Sequence, residues 1–124
     1  MKRDMDLVYK ILQFFENKED FTSRVTPDIT GYSDNEIHYH IKLMGQAGLL
    51  EAKDLSTFQG TQWAASSLTH YGHEFFDAIR QESVWETIKQ EFKDAGLETV
   101  VSVSKRLADT WAKKKVDGLL NEDS

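Results

Sequence analysis

Residues 33–50 of the chain read SDNEIHYHIKLMGQAGLL, and the fold prediction starts from these residues. Ser33 and Glu36 have the spacing of a capping box, in which the serine hydroxyl accepts from the Glu36 amide and the glutamate reaches back. We therefore expect a helix over residues 34–47. Gly48 is the residue type that ends a helix in the left-handed conformation, and the two leucines after it lead into a strand.

The expected helix has two different faces. Spacings of three and four residues place an apolar set on one side, and His40 within that set is predicted to be a hydrogen-bonded core histidine. The opposite side carries polar side chains that are able to contact a base edge or a protein. These outward residues, with His38 at their edge, are Asn35, Tyr39, Lys42 and Gln46.

Two strands are expected next, over residues 49–55 and 62–68, joined by residues 56–61. The order helix, glycine, strand, loop, strand is typical of a winged helix, in which the recognition helix passes directly into the wing. Phe58 is at the tip of this hairpin, where an aromatic ring is hard to bury within the same domain. We therefore predict Phe58 to be a contact residue for DNA or for a partner.

The flanking sequence is mostly helical. Apolar spacing predicts a helix over residues 4–18, and β-branched residues predict a short strand over residues 25–30. Thr69 is expected to cap a further helix, and a second capping box at Ser83 and Glu86 to open another, which Gly96 ends. A last helix is expected over residues 99–117.

These elements predict an α+β, mostly helical fold. It has a winged helix-turn-helix-like core, a small antiparallel sheet and a C-terminal helical extension. By length the chain, residues 1–124, is expected to be a single domain, with the core over 1–68 and the C-terminal helices over 69–120. Residues 121–124 are expected to fray.

Composition and charge limit the classes of function. The chain has no cysteine, which excludes disulfides and thiolate catalysis and fits a reducing compartment. It shows no apolar run long enough for a signal peptide or a membrane span, so we expect a cytoplasmic protein without membrane contact. Its 15 basic and 21 acidic residues give a net charge of −6, whereas DNA-binding proteins usually present a basic face.

The sequence offers no recognisable metal or catalytic site. His38 and His40 are two apart on one helix, so their side chains diverge by roughly 200°. His70 and His73 could meet, but a zinc site needs three or four ligands, and an isolated pair at the start of a helix is usually structural or solvated. No phosphate-binding glycine motif and no nucleophile with a base in sequence context is present. We expect neither a metal, nor a cofactor, nor an enzymatic activity.

Three stretches carry a resemblance to a known family. They are MKRDMDLVYKIL (residues 1–12), GYSDNEIHYHIKLMGQAGLLEA (31–52) and LTHYGHEFFDAIRQESVW (68–85). They resemble a family of bacterial and phage proteins catalogued as a domain of unknown function, number twenty-five thirteen. The resemblance implies a winged helix-turn-helix type and an origin in phages, prophages or other mobile elements. It implies no activity and no catalytic residues.

Two hypotheses of function remain open at this point. In the first, the protein binds double-stranded DNA as a regulator or accessory protein through Asn35, His38, Tyr39, Lys42 and Gln46. In the second, it is an interaction module, such as a phage accessory or inhibitor protein, that has lost DNA binding and contacts a protein partner. Residues 55–63 contain no lysine or arginine, which favours the second hypothesis. The order of helix and hairpin favours the first.

The last helix predicts self-association. Its apolar stripe includes Leu107 and Trp111 and continues beyond what one small core needs. We expect this stripe to pair with a second copy, which gives a two-fold homodimer with both residues at the interface. The alternative is that the stripe folds back on the first helix, whose broad apolar surface also needs cover.

Overall fold

The computed structural model describes residues 1–121 as five helices and one two-stranded antiparallel sheet. The fold is therefore α+β and mostly helical, as the sequence predicts. Of the residues predicted to fray, Asn121 is helical, and residues 122–124 lie outside the described residues. In chain order the elements are α1 (Met5–Asn17), α2 (Asp34–Gln46), β1 (Leu50–Asp54), β2 (Trp63–Leu68), α3 (His70–Ile79), α4 (Glu82–Glu91) and α5 (Leu97–Asn121).

Helix α1 begins after an aspartate cap. The Asp4 carboxylate accepts hydrogen bonds from the amides of Asp6 at 2.9 Å and Leu7 at 3.2 Å, which have no partner within the helix. One apolar face is buried, as the spacing of its residues predicts. The buried residues are Leu7, Val8, Ile11, Leu12 and Phe15.

Helix α2 has the predicted start and end. The Glu36 amide donates to the Ser33 hydroxyl at 3.2 Å, and the Ser33 amide donates to the Glu36 carboxylate at 3.0 Å, so the capping box is complete. At the other end Gly48 has a φ of 80°, and the Leu49 amide reaches back to the Met44 carbonyl at 2.9 Å. A positive φ is inexpensive only for glycine, so Gly48 fixes where the helix ends and where β1 begins.

The sheet is a hairpin with one additional bridge. β1 and β2 pair antiparallel, with Lys53 opposite Ala64 and an irregularity between Leu50 and Ala52. On the other edge of β2, Val25 exchanges two backbone hydrogen bonds with Ala65, at 2.9 and 3.0 Å. The strand predicted over residues 25–30 is thus a single bridge. Pro27 has no amide hydrogen, so the pairing cannot extend past it.

The chain divides into two compact units, one comprising Met1–Phe76 and the other beginning at Asp77, so that the boundary lies within α3. In the first unit, the buried apolar residues lie on α1, on α2, in and just before the hairpin, and on the first part of α3. The second unit has its own buried residues on α4 and α5. That the chain is a single domain, with a core over residues 1–68, stays a prediction.

The predicted start of α4 is wrong. The Trp85 amide donates to the Gln81 carbonyl at 3.0 Å, so helical hydrogen bonding begins two residues before Ser83, which lies in the first turn and caps nothing. Gly96 does not end α4, which stops at Glu91. Instead its carbonyl accepts from the Val100 amide at 3.0 Å, so that α5 starts at Leu97, earlier than predicted.

Candidate functional site

Four of the six predicted contact residues line one groove. They lie on α2, and the facing side is formed by the end of the hairpin loop (residues 55–62) and the start of β2. The groove has a volume of about 320 Å³. We call it the α2 groove; it is lined by Met1, Asn35, His38, Tyr39, Lys42, Thr61 and Trp63.

His38 joins α2 to the first residue of β2. The Trp63 amide donates to Nδ1 of His38 at 3.0 Å, and the same ring nitrogen lies 3.2 Å from the Trp63 carbonyl oxygen. The Trp63 carbonyl is satisfied separately by the Thr26 hydroxyl at 2.7 Å. His38 therefore fixes the width of the groove as well as lining it. The sequence places it at the edge of the outward face but shows no sign of the bond to Trp63.

His40 is a hydrogen-bonded core histidine, as predicted. Its side chain is 1% exposed, and Nε2 accepts the Asp4 amide hydrogen at 2.8 Å. Because Nε2 accepts, the ring proton is on Nδ1, which donates to the Glu36 carbonyl at 2.7 Å. The buried imidazole thus connects Asp4, the residue that caps α1, with Glu36 in the first turn of α2.

The bond from Asp4 to His40 also positions the start of the chain. Residues 1–4 form an arm without regular secondary structure ahead of α1, and Met1 of this arm lines the α2 groove. Lys2 and Arg3 are both exposed. The sequence signal for this basic arm is the opening MKR, and its place beside α2 depends on a contact between residues 36 positions apart.

A cation of the groove lies near an anion outside it. Lys42 is exposed on α2, and it interacts electrostatically with Asp54 at the end of β1. The pKa of Asp54 is lowered chiefly by hydrogen bonds from the Ser56 hydroxyl and amide, and Lys42 lowers it further. The main cation of the groove is therefore partly balanced by an anion.

The other two predicted contact residues lie outside the groove. Gln46 is exposed in the last turn of α2. Phe58 is fully exposed, at 112% of its reference area, and Phe58 and Gln59 are the central residues of a tight turn. Two backbone hydrogen bonds between Thr57 and Gly60, at 3.0 and 3.1 Å, close this turn.

The predicted oligomer interface lies on α5. Leu107 is half-buried, and Trp111 is 44% exposed with the Lys115 ammonium 5.0 Å from its ring centre. Every residue from 109 to 121 is exposed. The large apolar residues among them are Trp111, Val116, Leu119 and Leu120.

A second depression, of about 540 Å³, is lined by α1, the residue after it and residues 28–30. Its two lysines already have partners within the chain. The Lys18 ammonium donates to the Asp20 carboxylate at 2.9 Å, and the Lys10 ammonium lies 5.4 Å from the Tyr32 ring centre. The pKa of Asp20 is held far below its usual range, first by the Ser23 amide and then by Lys18. The cations of this depression serve local structure.

The described residues show no set of three metal-ligating side chains within reach of one another. His70 lies 3.6 Å from Glu74, whereas Nδ1 of His73 lies 3.1 Å from Glu16 on α1, so the two histidines have different partners. Among residues 1–121, no helix is both long enough and apolar enough to cross a bilayer.

Comparison with known proteins gives the family. The family model described as "Hypothetical protein (DUF2513)" matches residues 2–98, which include the hairpin loop and, apart from Met1, the arm and the α2 groove. A Haemophilus influenzae relative, described as "Uncharacterized protein", is 36% identical over 111 residues, which are 89% of this chain and 94% of that protein. No solved structure matches the chain. The resemblance seen in the sequence is therefore confirmed, and the chain belongs to the DUF2513 family of hypothetical proteins.

Proposed function

We propose that the protein is a non-enzymatic, winged-helix-like DNA-binding protein with a regulatory or accessory role, and that α2 enters the major groove of duplex DNA. One observation carries this proposal. Side chains that are able to read base edges converge on the α2 groove, between a basic arm and a projecting hairpin.

The outward face of α2 suits a DNA groove in length and chemistry. From Asn35 to Gln46 the helix rises roughly 16 Å, which corresponds to about four or five base pairs. Lysine pairs with guanine O6 and N7, and asparagine or glutamine pairs with adenine N6 and N7. Asn35, Lys42 and Gln46 thus offer polar groups along the length of one binding site.

The arm supplies two cations, although the net charge of the chain is negative. Lys2 and Arg3 are exposed beside the residue that lines the groove, and the bond from Asp4 to His40 holds this segment on α2. Phosphate contacts by basic residues provide most of the affinity of non-specific DNA binding. The arm therefore adds to Lys42 the phosphate-binding charge that the hairpin loop lacks.

The test is a salt titration of binding to a labelled random-sequence duplex, followed by fluorescence anisotropy. We expect binding at low salt that weakens steeply as salt rises. Lys42→Glu should weaken it by at least about tenfold and flatten the dependence on salt, because a phosphate or base contact is lost. Lys93→Glu makes the same change of charge at an exposed residue outside the groove and should leave affinity within about twofold.

Sequence preference gives a second readout in the same assay. Tyr39→Ala and Gln46→Ala should alter the ranking of DNA sequences without a comparable loss of stability, because neither side chain is in the core. If wild-type protein does not bind duplex at low salt, or if Lys93→Glu weakens binding as much as Lys42→Glu, then α2 is not the reading element.

The alternative is a protein-interaction module that has lost DNA binding. The observation that favours it is the distribution of charge, because the chain has a net charge of −6 and Asp54 partly balances Lys42. Absence of DNA binding at low salt is the outcome that would support this alternative.

We further propose that two copies pair through α5. The exposure of Trp111, at 44%, leaves apolar surface on the face of Leu107 that a second copy is suited to cover. Two-fold pairing would also present two α2 helices to two half-sites. Leu107 and Trp111 are one turn apart and share a face of the helix.

Sedimentation equilibrium at micromolar concentration tests the dimer. We expect wild-type protein to be dimeric and the double variant Leu107→Ala, Trp111→Ala to be monomeric. Val116→Ala is the control, because Val116 lies roughly 180° around α5 from Leu107 and removes apolar surface from the opposite face. Monomeric wild-type protein, or dissociation by Val116→Ala alone, refutes this interface.

A further inference from the structure

The tip of the hairpin loop is a tight turn that carries an exposed aromatic side chain. Phe58 and Gln59 are the only residues between the two that close the turn, Thr57 and Gly60, whose paired backbone hydrogen bonds measure 3.0 and 3.1 Å. The Gln59 amide also donates to the Thr57 hydroxyl at 3.2 Å. The turn therefore leaves Phe58 little backbone freedom.

The stem below the tip is braced as well. The Leu55 amide donates to the Gln62 carbonyl at 2.8 Å, and the Gln62 amide donates to the Ser56 hydroxyl at 2.9 Å. The Ser56 amide in turn donates to the Asp54 carboxylate at 2.9 Å. The loop is a continuation of the β1–β2 hairpin, so the fully exposed ring of Phe58 projects from a rigid base.

The surroundings of Phe58 indicate which partner suits it. Its neighbours in the loop are neutral polar residues, and Leu55, the other large apolar residue of the loop, is half-buried. A protein-binding hot spot is a cluster of apolar and aromatic anchors that exclude water together, and this tip offers one ring. A single planar ring between hydroxyl and amide groups fits a gap between two stacked base pairs. There the ring replaces base stacking and the polar groups meet the acceptors of the minor groove.

We propose that Phe58 is a wedge that inserts between adjacent base pairs in the minor groove and bends the duplex, while α2 occupies the neighbouring major groove. This inference rests on the proposed DNA-binding function. It also explains why the hairpin loop needs no lysine or arginine, because stacking of the ring takes the place of a phosphate contact at the tip. Proteins that insert apolar wedges in this way kink DNA by roughly 20–90°.

The experiment measures affinity, base unstacking and bending on the same duplexes. Each duplex carries 2-aminopurine at one of a series of positions, because this base becomes brighter when it is unstacked. A donor and an acceptor dye at the two ends report bending by energy transfer, and anisotropy reports binding. The proteins compared are the wild type, Phe58→Ala, Phe58→Leu and the control Phe21→Ala, which removes another exposed phenylalanine of the first unit, 76% exposed.

We expect wild-type protein and Phe21→Ala to brighten 2-aminopurine at one position and to shorten the end-to-end distance. Phe58→Ala should lose both signals and bind roughly tenfold more weakly, as loss of one ring-to-base stack implies. Phe58→Leu should retain part of the bend, because leucine also serves as a wedge.

The experiment distinguishes failure of the wedge from failure of DNA binding. Binding by wild-type protein without brightening or bending overturns the wedge and leaves DNA binding intact, and so does an unchanged bend with Phe58→Ala. No anisotropy change at low salt overturns the proposed DNA-binding function and the wedge together.

Discussion

Replacing Gly72 by alanine would place a methyl carbon 2.1 Å from the carbonyl oxygen of Leu49 and 3.0 Å from its carbonyl carbon. Gly72 is buried in the first turn of α3, and Leu49 is the residue that leads from α2 into β1. The junction has little room to adjust. The Thr69 amide donates to the same Leu49 oxygen at 3.0 Å, and the Thr69 hydroxyl donates to the Gly48 carbonyl.

The expected cost follows from these contacts. Reaching an ordinary contact distance of 3.4 Å requires α3 and the Leu49 backbone to separate by about 1.3 Å. Overpacking of this kind costs about 1–3 kcal/mol, and a weakened backbone hydrogen bond adds about 1 kcal/mol. Alanine regains at most about 1 kcal/mol of helix propensity. We therefore expect Gly72→Ala to lower the free energy of unfolding by about 2 kcal/mol.

Urea unfolding followed by far-UV circular dichroism measures this change. Gly118→Ala is the matched control, because it is also a substitution within a helix but has no atom within 4 Å of the new methyl carbon. Helix propensity then acts alone, and this variant should be unchanged or up to about 1 kcal/mol more stable. The packing described for α3 is wrong if Gly72→Ala matches the wild type or gains stability as Gly118→Ala does.

Three further predictions concern stability. In urea titrations, His40→Ala should lower the free energy of unfolding by about 3 kcal/mol, because it leaves a cavity and an unpaired Asp4 amide. The control His70→Ala, at a side chain that is 93% exposed, should change this free energy by less than about 0.5 kcal/mol. Equal effects would contradict the role given to His40. Ser33→Ala should lower the free energy of unfolding by about 1 kcal/mol, because the capping box of α2 is lost. Ser83→Ala removes no cap and should be nearly neutral. A comparable loss of stability at Ser83 would support the capping box predicted there from the sequence. Thermal melts with and without a chelator should coincide, and a chelator-induced drop of several degrees would reveal a structural metal.

Local sequence chemistry predicts the elements of the first unit well. The helix over residues 34–47, the capping box at Ser33 and the end at Gly48 depend on neighbours within a few positions, and all agree with the structure. The same local pattern fails at Ser83, because serine and glutamate three apart also fit within the first five residues of a helix. Only the bond from the Trp85 amide to the Gln81 carbonyl decides between the two starting points.

The candidate site depends on contacts that periodicity does not encode. Helical spacing puts Asn35, Tyr39 and Lys42 on one outward face, and the structure brings them together in the α2 groove. The opposite wall is set by the bond between His38 and Trp63, residues 25 positions apart. The arm is set by a contact over 36 positions. A sequence pattern marks such residues as polar or apolar but does not identify their partners.

The two roles of Asp4 have different consequences for which residues position 4 tolerates. The side chain caps α1, and serine, threonine or asparagine is able to do the same. The backbone amide serves His40, and every residue except proline supplies it. Serine, threonine or asparagine at position 4 therefore keeps a cap on α1 and keeps the arm attached to α2, but gives up the carboxylate that interacts with the Tyr32 hydroxyl. The corresponding freedom is absent at position 40, where one ring must accept from the arm and donate to α2 at once.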